Sequence, residues 1–372
     1  MRVLMLSKAS LVGIYQRKLE YIAAAGVNLT VAVPPTWKDE RGEMRLERAF
    51  TTGYTLIDIT IRWNGNFHLH YYPTFPRLVH TATPDIVHID EEPYNMATWH
   101  ALYHARHART LFFSWQNIHR RYPPPFRWGE RWVLNTVDHA IAGTDSAATV
   151  WREKGYTGGM DVIPQFGVDE QLFTPASQRP QRPFTVGYVG RLIPEKGVDV
   201  LLRAMAALDG EWCLRLVGGG PLRRELENMA ADLHIADRVT FIAQVPSAQM
   251  PDEYRLLDAL ALPSLTRANW KEQFGRVLVE AMAGGVPVVG SDSGAIPGVI
   301  GEAGIVVPEC DVNALSAALR TLRDNPQQHA HLREAGRARA LQHFTHRQVA
   351  TETVRVYEHM MNQPELPPGG RL

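Results

Sequence analysis

The stretch that most constrains the fold runs from Arg276-Val277-Leu278-Val279-Glu280-Ala281-Met282-Ala283 into Gly284-Gly285-Val286-Pro287-Val288-Val289. An apolar helical run stops at a glycine pair, and a buried strand follows at once. The chain opens in the same grammar. Residues 3–7 read as a buried strand, 8–13 as a loop, the next segment as a helix ending near Ala25-Gly26, and 27–33 as a second strand. Strand, loop, helix, strand is the opening of a parallel doubly wound α/β unit. Further strands are expected at 84–89, Leu111-Phe112-Phe113-Ser114 and Ala140-Ile141-Ala142. A second series follows at 184–189, 214–217, 239–242 and 259–262, and the last 60 residues read as helical.

This grammar predicts two Rossmann-like domains facing across a cleft, and 372 residues suffice for two ordinary cores. The boundaries are expected at 1–168 and 169–344, with a final segment 345–372 that ends in a frayed tail from Pro364. Residues 34–53 read as an exposed, mobile excursion and 175–183 as a linker. The 39 basic and 39 acidic residues cancel, so bulk charge favours neither nucleic acid nor a membrane partner. Cys213 and Cys310 are too few for a disulfide framework or a zinc site. No signal peptide is read at the start, and no apolar run reaches the length of about 18 residues that a membrane span needs. A cytoplasmic location is expected.

Several positions carry candidate chemistry. Glu272 and Glu280 stand eight positions apart, about 12 Å along a helix at roughly 1.5 Å per residue. With a helix beginning near Phe274, the N-terminus at Phe274-Gly275-Arg276 lies between the two acids, where free N–H groups favour a phosphate. Acid, anion hole, acid is a cradle for hydroxyl, diphosphate, hydroxyl; the plainer alternative makes both glutamates ordinary helix carboxylates. Glu280 sits among apolar neighbours, so burial and a partner are expected. Gly190-Arg191-Leu192-Ile193-Pro194-Glu195-Lys196-Gly197 is a strand-to-helix turn with two cations and two glycines, a place for backbone to approach a phosphate. Gly13 is either a close-approach glycine of the first loop or a plain one. Asp90-Glu91-Glu92 ends a strand on the cleft side, as an acceptor contact or a helix cap. Gln116 and Asn117 can hydrogen-bond sugar hydroxyls. Arg120, Arg121, Arg127 and Arg131 interleave with Tyr122, Phe126, Trp128 and Trp132. That patch suits an anionic membrane surface or a phosphate-bearing acceptor, or equally an exposed helix face.

Glu272 through Glu280 resembles the Glu-x7-Glu motif of the retaining GT-B glycosyltransferases grouped as family 4. The likeness spans nearly the whole chain, strongly in its C-terminal half. It implies that Glu272 contacts the transferred sugar, Glu280 the donor ribose, and Arg191 and Lys196 the diphosphate. Gly190, Phe274, Gly275 and Arg276 would complete the donor site, with backbone near Val245 reading the base. Three departures stand out. Gly13 is single where the family often pairs glycines, Gln116 or Trp115 stands where many members carry histidine, and Gln165 replaces a frequent Asn. The final helix is expected to cross back to the N-terminal domain. The implied reaction is retaining transfer of a hexose from a UDP- or GDP-type sugar to a hydroxyl acceptor, a glycan or lipid-linked sugar. No metal or other cofactor is implied, and peripheral contact with the inner membrane face is compatible with the arginine–aromatic patch. A nucleotide-sugar epimerase, a phosphorylase-like enzyme and a non-catalytic nucleotide-sugar-binding protein remain as alternatives.

Overall fold

The computed structural model describes residues 1–39, 42–176 and 182–364. The linker expected at 175–183 and the tail from Pro364 fall mostly outside them. The chain divides into two compact units, one of residues 1–167 with the segment from His346 onward, the other of residues 168–345.

In the first unit the strands are β1 (Arg2–Leu6), β2 (Asn28–Val33), β3 (Thr36–Asp39), β4 (Gly42–Arg45), β5 (Thr55–Asp58), β6 (Ile86–Ile89), β7 (Arg109–Ser114), β8 (His139–Ala142) and β9 (Gly159–Val162). Seven of them form a parallel sheet in the order β5-β2-β1-β6-β7-β8-β9. Apolar side chains pack on both faces, as a parallel sheet requires. The helix His346–Met361 lays Val349, Val354, Tyr357 and Met360 into one of these cores. Its Tyr357 hydroxyl lies 2.7 Å from His88 Nδ1, and burial pulls the His88 imidazole down to about 4.

The described residues of 34–53 form more structure than their polarity suggests. β3 pairs antiparallel with β4, and Trp37 is buried. Gln16 then fastens residues 47–50: its Nε2 donates to the Glu47 carbonyl at 2.6 Å, and its Oε1 accepts from Ala49 N at 3.1 Å.

The second unit contains β10 (Phe184–Val189), β11 (Trp212–Val217), β12 (Val239–Ile242), β13 (Ala259–Leu262), β14 (Val288–Ser291) and β15 (Ile305–Val307). They form a parallel sheet in the order β12-β11-β10-β13-β14-β15. In each sheet the chain order reverses beside one strand, β1 or β10, and the loops at the carboxyl ends there form the binding crevice of such folds. In the first unit those loops carry Ser7-Lys8 and Asp90-Glu91-Glu92. In the second they carry 190–197 and 263–275.

Candidate functional site

In the second unit, glycines let the loops after β10 and β13 approach as bare backbone. Gly197, at φ +62°, precedes the helix Val198–Ala206, and a Cβ there would run into the Pro263 carbonyl oxygen. Leu265 N donates to the Glu195 carbonyl at 2.7 Å, closing the junction. Gly294, at φ +55°, comes as close to the Glu272 backbone, whose carbonyl accepts from Ala295 N at 3.0 Å. The glutamate is therefore held by its main chain before any side-chain contact is counted.

These loops line a cleft of about 360 Å³. Arg191, Lys196, Lys271 and Arg276 contribute four cations and Glu272 the one carboxylate among its described lining residues. Lys196 Nζ lies 2.5 Å from Glu272 Oε2, and Ser264 Oγ donates to the same oxygen at 2.8 Å. The ammonium also sits over the Trp270 ring, 5.1 Å from its centroid. Beneath the arginine, the Tyr188 hydroxyl donates to the Arg191 carbonyl at 2.7 Å. Burial, helped by the Glu272 charge, raises that phenol above its usual range.

The helix Arg276–Ala283 starts at Arg276 rather than near Phe274, because Gly275 adopts φ +73° and acts as N-cap. No side chain caps this end, and Leu278 N donates to the Gly275 carbonyl at 2.8 Å. Glu280 is 6% exposed, as its apolar surroundings required, and Arg276 Nε at 2.7 Å and Tyr254 Oη at 2.8 Å bind its two oxygens. Arg276 thus joins the cleft to the buried acid. The structure gathers Gly190, Arg191, Lys196, Glu272, Gly275 and Arg276 around one cleft. Glu280, Phe274 and Val245 are not among its lining residues. Phe274 meets the Phe344 ring at 5.8 Å, and Val245 packs against the core. Gly218 and Gly220 serve structure: side chains there would strike the carbonyls of Gly190 and Leu192.

In the first unit, what approaches Gly13 is the chain itself. Its N–H donates to Glu47 Oε2 at 2.6 Å, and an added Cβ would crowd Glu47 and Ala49. Gln116 and Asn117 are buried at the end of β7; Gln116 Nε2 donates to the Ile118 carbonyl at 2.9 Å. Gln165 links three elements: its Nε2 donates to Asp90 at 2.7 Å, its Oε1 accepts from Trp115 Nε1 at 2.7 Å, and its carbonyl accepts from Lys18 at 2.7 Å.

The residues that sequence reasoning passed over surround Glu91. Lys8 Nζ lies 3.3 Å from its carboxylate and faces the rings of Trp37 and Phe67, while Tyr72 Oη donates to it at 3.1 Å. His70 Nε2 is 3.4 Å away. Burial pushes Glu91 up, but Lys8 and His70 outweigh it and hold the acid at about 2. The available signal was Lys8, one residue past a strand end.

Neighbouring Glu92 behaves oppositely. It accepts from Ser114 Oγ at 2.5 Å and Trp115 N at 2.9 Å, yet burial, reinforced by Glu91, pushes it up to about 7. A carboxyl raised above its ordinary value of 4.5 binds more protons folded than unfolded between those values, so it costs stability as pH rises through that window. Glu92→Gln should therefore gain in thermal unfolding midpoint over the wild type as pH rises from 5 to 7.5, while buried His88, held near 4, contributes the opposite slope to both proteins. A difference that does not change with pH would mean that Glu92 is ionised throughout.

Among the described residues no group of three or more His, Cys, Asp or Glu is placed to hold a metal ion, and no helix is long and apolar enough to cross a membrane.

The family model described as Glycosyl transferases group 1 matches residues 169–339, and that for Glycosyltransferase Family 4 matches residues 16–172. A GDP-mannose-dependent alpha-(1-6)-phosphatidylinositol monomannoside mannosyltransferase of Mycolicibacterium smegmatis is 34% identical over 206 residues, 51% of this chain and 54% of that one. The chain spans about half the length of the curated relatives it matches. Among solved structures, sucrose-phosphate synthase from Thermosynechococcus elongatus aligns with TM-score 0.74 and 22% identity over 97% of this chain and 99% of that one. HepE of Anabaena, solved with UDP and glucose, aligns with TM-score 0.70 and 20% identity over 96% and 100%. At such identities the structures speak for the fold, and the family models speak for descent. Together they place the chain in the GT-B glycosyltransferases of group 1, family 4.

Proposed function

We propose that this protein transfers a hexosyl group from a UDP- or GDP-type sugar to a hydroxyl of a glycan or lipid-linked acceptor, with retention at the anomeric carbon and without a metal. The unit of residues 168–345 binds the donor, and the unit of residues 1–167 binds the acceptor. The observation that carries the reading is the cleft itself, in which four cations and an uncapped helix N-terminus meet one well-held carboxylate.

As the bond between the anomeric carbon and the phosphate oxygen breaks, negative charge grows on the departing diphosphate. Arg191, Lys196 and the N–H groups after Gly275 stabilise it, in the manner of preorganised donors aimed at developing charge. Glu272 accepts from sugar hydroxyls and orients the ring. The assignment of Glu280 to the ribose rests on the Glu-x7-Glu resemblance; in the structure it lies behind Arg276, which lines the cleft and reaches the diphosphate. The acceptor oxygen attacks on the face that the leaving group vacates, and its proton passes to the departing phosphate. Retention and a role in glycan, cell-surface polysaccharide or glycolipid synthesis rest on the Glu-x7-Glu resemblance, and the phosphatidylinositol mannoside acceptor named for one relative supports the glycolipid among these. The helix Phe126–Thr136, with Trp128 67% exposed beside Arg127 and Arg131, supports peripheral contact with an anionic membrane surface at the inner face.

The first test is a panel of nucleotide sugars read by thermal stabilisation, since a ligand of the folded state raises its midpoint by mass action. One donor is expected to stand out, and its nucleoside diphosphate should be released only when acceptor is present. Acceptor-independent turnover to an isomeric sugar nucleotide would replace the transferase with an epimerase.

A further inference from the structure

Trp270 is the one aromatic side chain among the described residues that line the cleft, and the chemistry above leaves it unused. Its turn is closely held. Arg267 N donates to the Trp270 carbonyl at 2.8 Å, and Trp270 N returns a bond to the Arg267 carbonyl at 3.2 Å. Glu309 grips Thr266 through both carboxylate oxygens, accepting from its N and its Oγ1 at 2.5 Å each. Thr266 Oγ1 also lies 3.0 Å from Ser293 Oγ. The ring is therefore carried on a braced turn, half-buried against the cleft. Its indole N–H has no hydrogen-bond partner among the described residues.

The position of the ring decides its use. Its centroid lies 5.1 Å from Lys196 Nζ, and that ammonium is 2.5 Å from Glu272 Oε2. With Lys196 on the phosphate at the anomeric carbon and Glu272 on the sugar hydroxyls, the pyranose lies against this ion pair, in the cleft that Trp270 also lines. It is then within van der Waals reach of the indole. A pyranose presents hydroxyls at its edge and a patch of C–H groups on a face, and which face is unbroken depends on its configuration. A fixed aromatic plane beside a carboxylate meets both features, because an aromatic ring offers large apolar area at little entropic cost.

We infer that Trp270 is a specificity-determining residue of the donor site, stacking on the apolar face of the transferred pyranose and selecting sugars whose C–H face is unbroken. The inference rests on the donor reading of this cleft and deepens it by naming what recognises the sugar rather than the nucleotide.

The test compares UDP, GDP, UDP-glucose and GDP-mannose by calorimetric titration, without acceptor, on the wild type, Trp270→Phe and Trp270→Ala. The quantity read is the ratio of nucleotide-sugar affinity to the affinity of its own diphosphate. Trp270→Ala should lower that ratio about five- to tenfold, the scale of one aromatic stacking contact, and Trp270→Phe should recover most of it. Diphosphate affinity should change less than about twofold, because Lys196 keeps its Glu272 partner in the variants. Equal losses for diphosphate and nucleotide sugar would overturn the inference, making Trp270 a support for Lys196. An unchanged ratio in Trp270→Ala would overturn it too while leaving the donor reading intact. A wild type that binds neither UDP nor GDP would overturn both.

Discussion

Lys196→Ala is expected to lower kcat at saturating donor by about two to three decades, the effect of deleting one preorganised donor to developing charge. A contact that strengthens as the phosphate leaves lowers kcat when removed, whereas a contact equal in ground and transition states only raises KM. Arg191→Ala should show a similar loss, and the two should combine less than additively because both cations serve one diphosphate. Arg191→Lys should recover part of the activity, since a point charge cannot reproduce a planar fork. The ion pair adds a second signature. Glu272 is 7% exposed, and without Lys196 its carboxylate loses one of its partners. The unfolding midpoint of Lys196→Ala should therefore fall, because removing one side of a largely buried ion pair costs more than the pair contributes. Lys196→Ala combined with Glu272→Gln should regain that midpoint without regaining turnover. Normal kcat in both alanine variants, with folding verified by circular dichroism, would reduce these cations to solvated loop charges.

Glu272→Gln is expected to separate binding from turnover in an unusual direction. In the free protein its carboxylate neutralises the same ammonium that the diphosphate needs, at 2.5 Å. Removing that charge leaves Lys196 wholly for the phosphate, so nucleoside diphosphate should bind roughly tenfold tighter, about 1.4 kcal/mol. That is a modest share of the Coulomb energy between charges a few ångströms apart at an effective dielectric near 20. Turnover should nevertheless fall by about a hundredfold or more, because the sugar loses an acceptor of its hydroxyls and the tighter diphosphate is slower to leave. Titration and steady-state kinetics on the same preparation measure both. Weaker diphosphate binding in Glu272→Gln would show that the glutamate holds Lys196 in place rather than competing for it.

Much of this was legible in the order of residues. Residues 184–189 and 259–262 form strands where their apolar runs placed them, because a strand covered on both faces writes itself as a short apolar block. The burial of Glu280 followed from its apolar neighbours on the helix. What the residues in order could not report is which groups meet across the fold. Lys196 and Glu272 lie 76 positions apart in the chain, and only the closeness of the loops after β10 and β13 makes them one ion pair. Gly13 reads equally as a close-approach glycine or a plain one, and only the fold shows that Glu47 and Ala49 fill the space beside it. The helix start at Arg276 depended on a positive φ at Gly275, which glycine permits but does not announce. Glu91 and Glu92 are adjacent and chemically alike, yet one is held near 2 and the other near 7. Apart from the pairing of β3 with β4, local sequence determined most strands and helices and their apolar faces, because those depend on neighbours within a few residues. Charge pairing, proton affinity and the contents of the cleft depend on groups distant in the chain, and only the tertiary structure decided them.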